Sequence, residues 1–241
     1  RIAGLLNIGL DQPEPYRYPL VLAAILVIPA VVALHATPEP AEQKQPARVS
    51  LPTRAPYRLI ALLSLVTLLQ LAGEGAARTF FNVYLDTGLA VPTAQIGTLI
   101  GAAQLLAVPA ALATPMLATR LGNRNTVLVG SFGMAVSLLP LVLIPHVSAA
   151  GLGFIGMTAM ASLRRPAISV YGMELVPPAW QTTMSSATTT ALGVSWCLVA
   201  LSGGYLITRL SYASFFLLAA AITATGACLF WAAFRKLRRE A

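Results

Sequence analysis

Charge is scarce in this sequence, and acidic charge scarcest. Only 10% of the 241 residues are Asp, Glu, Lys or Arg, and eight of them are acidic. A soluble globular domain carries about 25%, so a water-soluble fold is excluded. Cysteine is nearly absent. Cys197 and Cys228 both sit in apolar runs, where two thiols build neither a disulfide framework nor a metal site; they read as small apolar filler. Lysine is confined to Lys44 and Lys236, outside every apolar run, which removes the intramembrane Schiff base that a retinal protein needs. No P-loop motif occurs, so ATP hydrolysis is not expected to drive the chain's activity, and no cofactor is implied. His35 and His146 fall at the edges of apolar runs, and Glu74 is the one acid inside a run. That supplies neither a Ser–His pair nor two carboxylates, so an enzyme is not expected.

What is present is hydrophobic: 57% of residues, with a mean hydropathy of +0.75. Seven runs are long enough to cross a bilayer core about 30 Å thick. They lie at about Tyr18 to Leu34, Leu59 to Leu85, Ala94 to Ala118, Thr126 to Ile144, Ala149 to Met173, Thr183 to Ile207 and Tyr212 to Phe234. The fold class is therefore all-α, a bundle of about seven membrane-spanning helices, and the lipid bilayer is its first partner. Between the first and second runs lies a polar stretch, 37–57, with Pro38, Pro40, Pro46, Pro52 and Pro56. No helix runs through that proline density. The other connections are short, so consecutive helices are expected as antiparallel neighbours. The opening RIAGLLNIGL reads as the tail of an interrupted apolar segment, which makes the chain a fragment of a longer protein.

The net charge of +8 does not imply nucleic acid, because the cations cluster at the ends of apolar runs. If the 37–57 linker is cytoplasmic, that side holds ten cations, Lys44, Arg48, Arg54, Arg58, Arg120, Arg124, Arg235, Lys236, Arg238 and Arg239, against Arg17 and Arg209 opposite. The bias obeys the positive-inside rule and sets linker and C-terminus in the cytoplasm.

The remaining charge is inside the membrane. In the second run Thr67, Gln70, Glu74, Arg78 and Asn82 recur at steps of three and four, one drifting polar stripe on a helix. Such a stripe is expensive against lipid and is expected to face protein or a water-filled pathway. Glu74 and Arg78 also stand in the favourable i, i+4 order for an ion pair. The fifth run carries Arg164 and Arg165. They are about 100° apart round the helix, so the two are not expected to face one cavity. Arg164 and Glu74 are close enough in depth for long side chains to meet. At the opening of the sixth helix Thr182, Ser186, Thr189, Gly193 and Trp196 share a face, and Trp196 is a candidate for stacking on a substrate. Gln104 is expected deep in the bundle. Gly97 with Gly101, Gly151 with Gly153 and Gly156, and Gly203 with Gly204 are expected at close helix contacts.

The turn TPMLATRLGNRN, with Leu117, Arg120, Gly122 and Arg124, resembles a degraded copy of the cytoplasmic signature G-x-L-x-D-R-x-G-R-R of the major facilitator superfamily. Thr119 stands in place of the acid, Pro115 of the first Gly and Asn123 of one Arg, so no acid is left there for a charge contact. Gly122 suits the tight turn, and Arg120 and Arg124 can reach helix-end carbonyls or headgroups. One helix, a long linker and six helices resemble the C-terminal portion of such a transporter. Residues 1–36 then end the N-terminal half, 37–57 form the linker, and 58–241 are the six-helix C-terminal half. The resemblance implies two inverted three-helix repeats, with the second and fifth runs of this chain lining a central cavity. It further implies alternating-access transport of a small molecule, coupled to an ion or proton, in a plasma membrane, the bacterial inner membrane, completed by the missing N-terminal half. The excess of arginine over acid in the spans points to an anionic or zwitterionic substrate. The alternatives are a proton-coupled multidrug exporter in which Glu74 titrates and, from another class, a seven-helix receptor.

Overall fold

The computed structural model describes residues 56–235, together with isolated residues between 21 and 33. Those isolated residues, which fall in the first expected span, are helical; the rest of that span, the linker up to residue 55 and the tail from 236 lie outside the described residues. Among the described residues six helices are long and apolar enough to span a membrane. They are α1 (Tyr57–Gly88), α2 (Thr93–Leu121), α3 (Asn123–Leu143), α4 (Val147–Glu174), α5 (Pro178–Arg209) and α6 (Tyr212–Arg235).

Local chemistry sets most of their limits. The first helix begins directly after Pro56, whose carbonyl accepts from the N–H groups of Leu59 and Ile60. It breaks at Leu71, resumes over Ala72–Val83 and ends in a π-helical turn, Tyr84–Gly88. Gly122, at φ 82°, separates α2 from α3; this left-handed backbone costs glycine nothing. The α3 helix is interrupted at Leu138, just before Pro140, while α2 passes through Pro109 and Pro115 without a break. At the start of α4, His146 Nδ1 accepts from the N–H of Ser148 at 3.2 Å.

Consecutive helices are not uniformly closest neighbours, which corrects the reading from short loops. The first helix packs mainly against α5 and α6, and meets α2 chiefly through its terminal turn. The fourth packs most extensively against α2 and α3. Each three-helix segment thus lends its first helix to the other segment, and α6 against α3 joins the two groups. Short loops fix which ends are adjacent; the widths of the buried faces decide which helices pack.

Two apolar clusters result. One gathers Phe81, Tyr84, Met134, Phe154, Phe215 and Phe216, with Phe81 stacked on Phe154 at 4.0 Å. The other gathers Leu63, Val127, Tyr171, Phe230 and Phe234. By position along α1, α3, α4 and α6, a polar layer separates them: Gln70 and Glu74 on α1, Ser131 on α3, Arg164 on α4 and Thr223 on α6, all buried. Glycines bring the backbones together around it. A Cβ on Gly130 would lie 2.8 Å from Arg164 Cβ, and one on Gly153 2.7 Å from the Ser137 carbonyl. Gly151, Gly156 and Gly203 also face close neighbours. Gly97, Gly101 and Gly204 have nothing within 4 Å, so the glycine pair of α2 is not a helix contact among the described residues. Leu105, Leu112, Leu152 and Leu201 are exposed on the outside, as suits helices whose solvent is lipid. The chain is an integral membrane protein.

Candidate functional site

The polar layer is organised by two buried side chains one turn apart on α1. Gln70 is fully buried. Its Oε1 accepts from Arg164 Nη2 at 2.6 Å and from Arg164 Nε at 3.0 Å, while its Nε2 donates to the Gly226 carbonyl of α6 at 3.3 Å. Arg164 Nε also donates to Ser131 Oγ at 3.2 Å. An unpaired buried guanidinium would be very costly, and here three helices supply its partners or hold them in place. The close approach of α3 at Gly130 is what brings Ser131 within reach.

Glu74, also fully buried, carries the counter-charge. Its Oε1 accepts from Arg78 Nε at 2.8 Å and from Arg165 Nη2. Its Oε2 is buried with no hydrogen-bond partner among the described residues. Arg78 and Arg165 are partly exposed, with side chains 24% and 44% accessible, so the carboxylate is covered by cations that themselves reach the surface. The Arg165 guanidinium also lies over the Trp196 ring at 5.9 Å. Trp196 sits against Gly75, where a Cβ would come within 3.1 Å of its Cδ1. The same helices are held nearby by neutral bonds, from Gly73 N to Thr223 Oγ1 at 2.9 Å and from Ser195 Oγ to the Leu68 carbonyl at 2.8 Å.

Of the residues singled out from the sequence, Gln70, Glu74, Arg78, Arg164 and Trp196 converge on this layer. Two do not. Gln104 is exposed on α2, not deep in the bundle, because the buried face of that helix runs narrowly through Ile96, Ala103, Ala107 and Thr114. Asn82 is exposed as well, and borders a cavity of about 390 Å³ with Asp86 and Thr93. The stripe drifts round α1, so burial falls from Gln70 and Glu74 through Arg78 to Asn82.

The pairing of charges also differs from expectation. Arg164 meets Gln70 and Ser131, and its neighbour Arg165 takes Glu74. Both arginines border one cavity of about 200 Å³, against the expectation that they could not. An angle of about 100° separates their Cα–Cβ directions, but long side chains flank a cavity centred between those directions. Arg165, Ser131, Thr223 and Gly226 are the members that sequence reasoning missed. Hydroxyls and glycines of α3 and α6 give no signal until the helix that faces them is known.

At the linker end, the turn between α2 and α3 borders a further cavity of about 620 Å³ with Glu174, Tyr171 and Phe234. Arg124 Nη2 donates to the Trp231 carbonyl in the last turns of α6 at 3.3 Å. Asn123 Nδ2 donates to Glu174 Oε1 at 2.7 Å. Arg120 is exposed.

Six apolar helices around an internal layer of paired charge define a polytopic helical membrane protein of the kind that moves solutes. The family model described as Major Facilitator Superfamily matches residues 2–200, and the chain belongs to that superfamily of membrane transporters. No curated protein gives a significant match.

Proposed function

We propose that this chain is the C-terminal part of a secondary active transporter that moves a small anionic or zwitterionic solute by alternating access, coupled to an ion or proton gradient. One observation carries the reading: Glu74, the single buried carboxylate among the described residues, is shared by Arg78 and Arg165, with Arg164 buried against Gln70 one turn along α1 from Glu74. Three guanidiniums against one carboxylate leave an excess of positive charge within the layer. Buried cations want counter-ions, and an anionic group on a substrate supplies one. Gln70, Glu74, Arg78 and Arg164 are assigned to the pathway and its coupling, with Trp196 at its edge. The linker and C-terminus are assigned to the cytoplasm of a bacterial inner membrane, and the N-terminal half of the same protein completes the pathway.

A second reading draws on Glu74 Oε2, which has no partner among the described residues and is a place for a transported proton; a proton-coupled exporter of cationic drugs would use it. The test is uptake into proteoliposomes holding the complete protein, under an imposed pH gradient. Radiolabelled monocarboxylates and neutral α-amino acids are compared with ethidium and tetraphenylphosphonium. Gradient-driven movement of an acid or amino acid is the expected result. Movement of the two cations, with no acid or amino acid carried, would overturn the anionic reading in favour of the exporter.

A further inference from the structure

The cavity of about 200 Å³ between α1, α4 and α5 is lined by an unusual density of hydroxyls. Thr67, Ser169, Ser185, Thr188 and Thr189 border it together with Arg165. Hydroxyls in membrane helices ordinarily bond back to a carbonyl of the preceding turn. Here Thr98, Ser131, Thr158, Thr190, Ser202 and Thr225 all do so. Within the cavity, Thr188 follows that habit. Thr67 does not: the residue is 3% exposed, and its Oγ1 has no hydrogen-bond partner among the described residues. Leaving a buried hydroxyl unmatched costs free energy in apolar surroundings. The side-chain hydroxyls of Ser169, Ser185 and Thr189 make no hydrogen bond among the described residues, and the three residues are exposed.

Of the two arginines that border this cavity, Arg164 is matched by Gln70 and Ser131, whereas Arg165 is incompletely used. Arg165 gives Nη2 to Glu74, and its remaining N–H groups have no partner among the described residues. The carboxylate that it shares is already paired with Arg78. A planar fork of donors with hydroxyl donors beside it matches an oxyanion that accepts in bidentate fashion, and a carboxylate is the smallest such group. The volume is below the range of about 300–1,000 Å³ of sites for whole drug-sized ligands, so it fits an acidic group of a solute.

We propose that this cavity is the carboxylate subsite of the transported solute, with Arg165 as its charged ligand and the hydroxyls of Thr67 and Thr189 as its neutral donors. The assignment rests on the transporter reading above and names the group that the site recognises. It also gives Glu74 a second task, as the anion that Arg165 exchanges for the incoming carboxylate.

The test uses the complete protein in detergent at fixed ionic strength. Straight-chain C2 to C6 monocarboxylates are titrated beside the primary amides of the same lengths, and Kd is read by calorimetry. Counterflow of the same radiolabelled acids is measured in parallel. Acids should bind and their amides should not. Arg165→Gln should abolish acid binding, and Arg165→Lys should weaken it about tenfold or more, because a point charge replaces the fork. Thr67→Val, which keeps shape and removes one donor, should weaken binding by about three- to tenfold, a change readable even if the arginine variants fail to fold. Acids that bind both Arg165→Lys and Thr67→Val with unaltered Kd would overturn the subsite while leaving acid transport standing. Equal binding of acids and amides would overturn it too. Absence of acid binding and of acid counterflow, with movement of cationic dyes intact, would overturn the underlying anionic reading together with the subsite.

Discussion

Arg165 on α4 donates to Glu74 Oε1 on α1, although the two residues are 91 positions apart. The same oxygen accepts from Arg78, one turn along its own helix. A local ion pair and a long-range one therefore share a single atom, and loss of that atom's charge strands two cations together.

Replacement Glu74→Gln should abolish transport by the complete protein without preventing insertion. Removing one partner of a buried pair costs about 3–5 kcal/mol, so a lowered melting temperature is expected beside the loss of uptake. The double change Glu74→Gln with Arg78→Gln should be inactive as well. Full uptake by that double variant in proteoliposomes would reduce Glu74 to a structural residue.

Gln70 is expected to matter through stability. Gln70→Leu leaves the buried Arg164 with Ser131 as its remaining side-chain partner, and removes the bond to the Gly226 carbonyl. A loss of several kcal/mol is expected, since a hydrogen bond to a charged group is worth about 1.5–3 kcal/mol and leaving the charge unmatched costs more. Gln70→Glu supplies a carboxylate to the same guanidinium and should retain most of the thermal stability. Melting curves of the two variants in one detergent decide it, and equal curves would refute the account.

At Gly130 the constraint is steric. An added Cβ would sit 2.8 Å from Arg164 Cβ and 3.1 Å from the Met160 carbonyl. Overpacking of this kind costs about 1–3 kcal/mol. Gly130→Ala should therefore lower the melting temperature of the purified protein and separate Ser131 from Arg164; unchanged stability would mean that α3 and α4 are less tightly apposed.

Topology is open to direct labelling. A cysteine at Ser50, in the linker, should be protected from an impermeant thiol reagent in intact cells, and one at Thr87, at the far end of α1, should be labelled. The reverse pattern would invert the orientation drawn from ten cations against two.

The spans were legible because a bilayer sets both length and composition, and five of the six described helices begin within two or three residues of the apolar run that announced them, save α5, which starts earlier at Pro178. Glu74, Arg78 and Arg164 were legible for a related reason: charge inside an apolar run has few places to go. What the sequence withheld was partnership. Nothing in the run around Arg165 marks it rather than Arg164 as the partner of Glu74, because the choice depends on how α4 is rotated against α1. That rotation is set by glycine contacts such as Gly130 with Arg164. Gln104 shows the converse: a polar residue in an apolar helix is buried only if it lies on the face that packs, and the packed face of α2 runs through Ile96, Ala103, Ala107 and Thr114.

The exchange of first helices between the two segments bears on how the protein is made. Ribosomes add about 5–20 residues per second, so the 91 residues between Glu74 and Arg165 take roughly 5–20 s to emerge. Throughout that interval α1 has neither its α4 partner nor the α5 and α6 surfaces against which it finally packs. Arg78, only one turn away, is synthesised almost together with Glu74 and can neutralise it from the moment the helix forms. The local pair would then act as a placeholder during biogenesis, and Arg78→Gln should reduce the yield of inserted chain more than it reduces the melting temperature of the protein that matures.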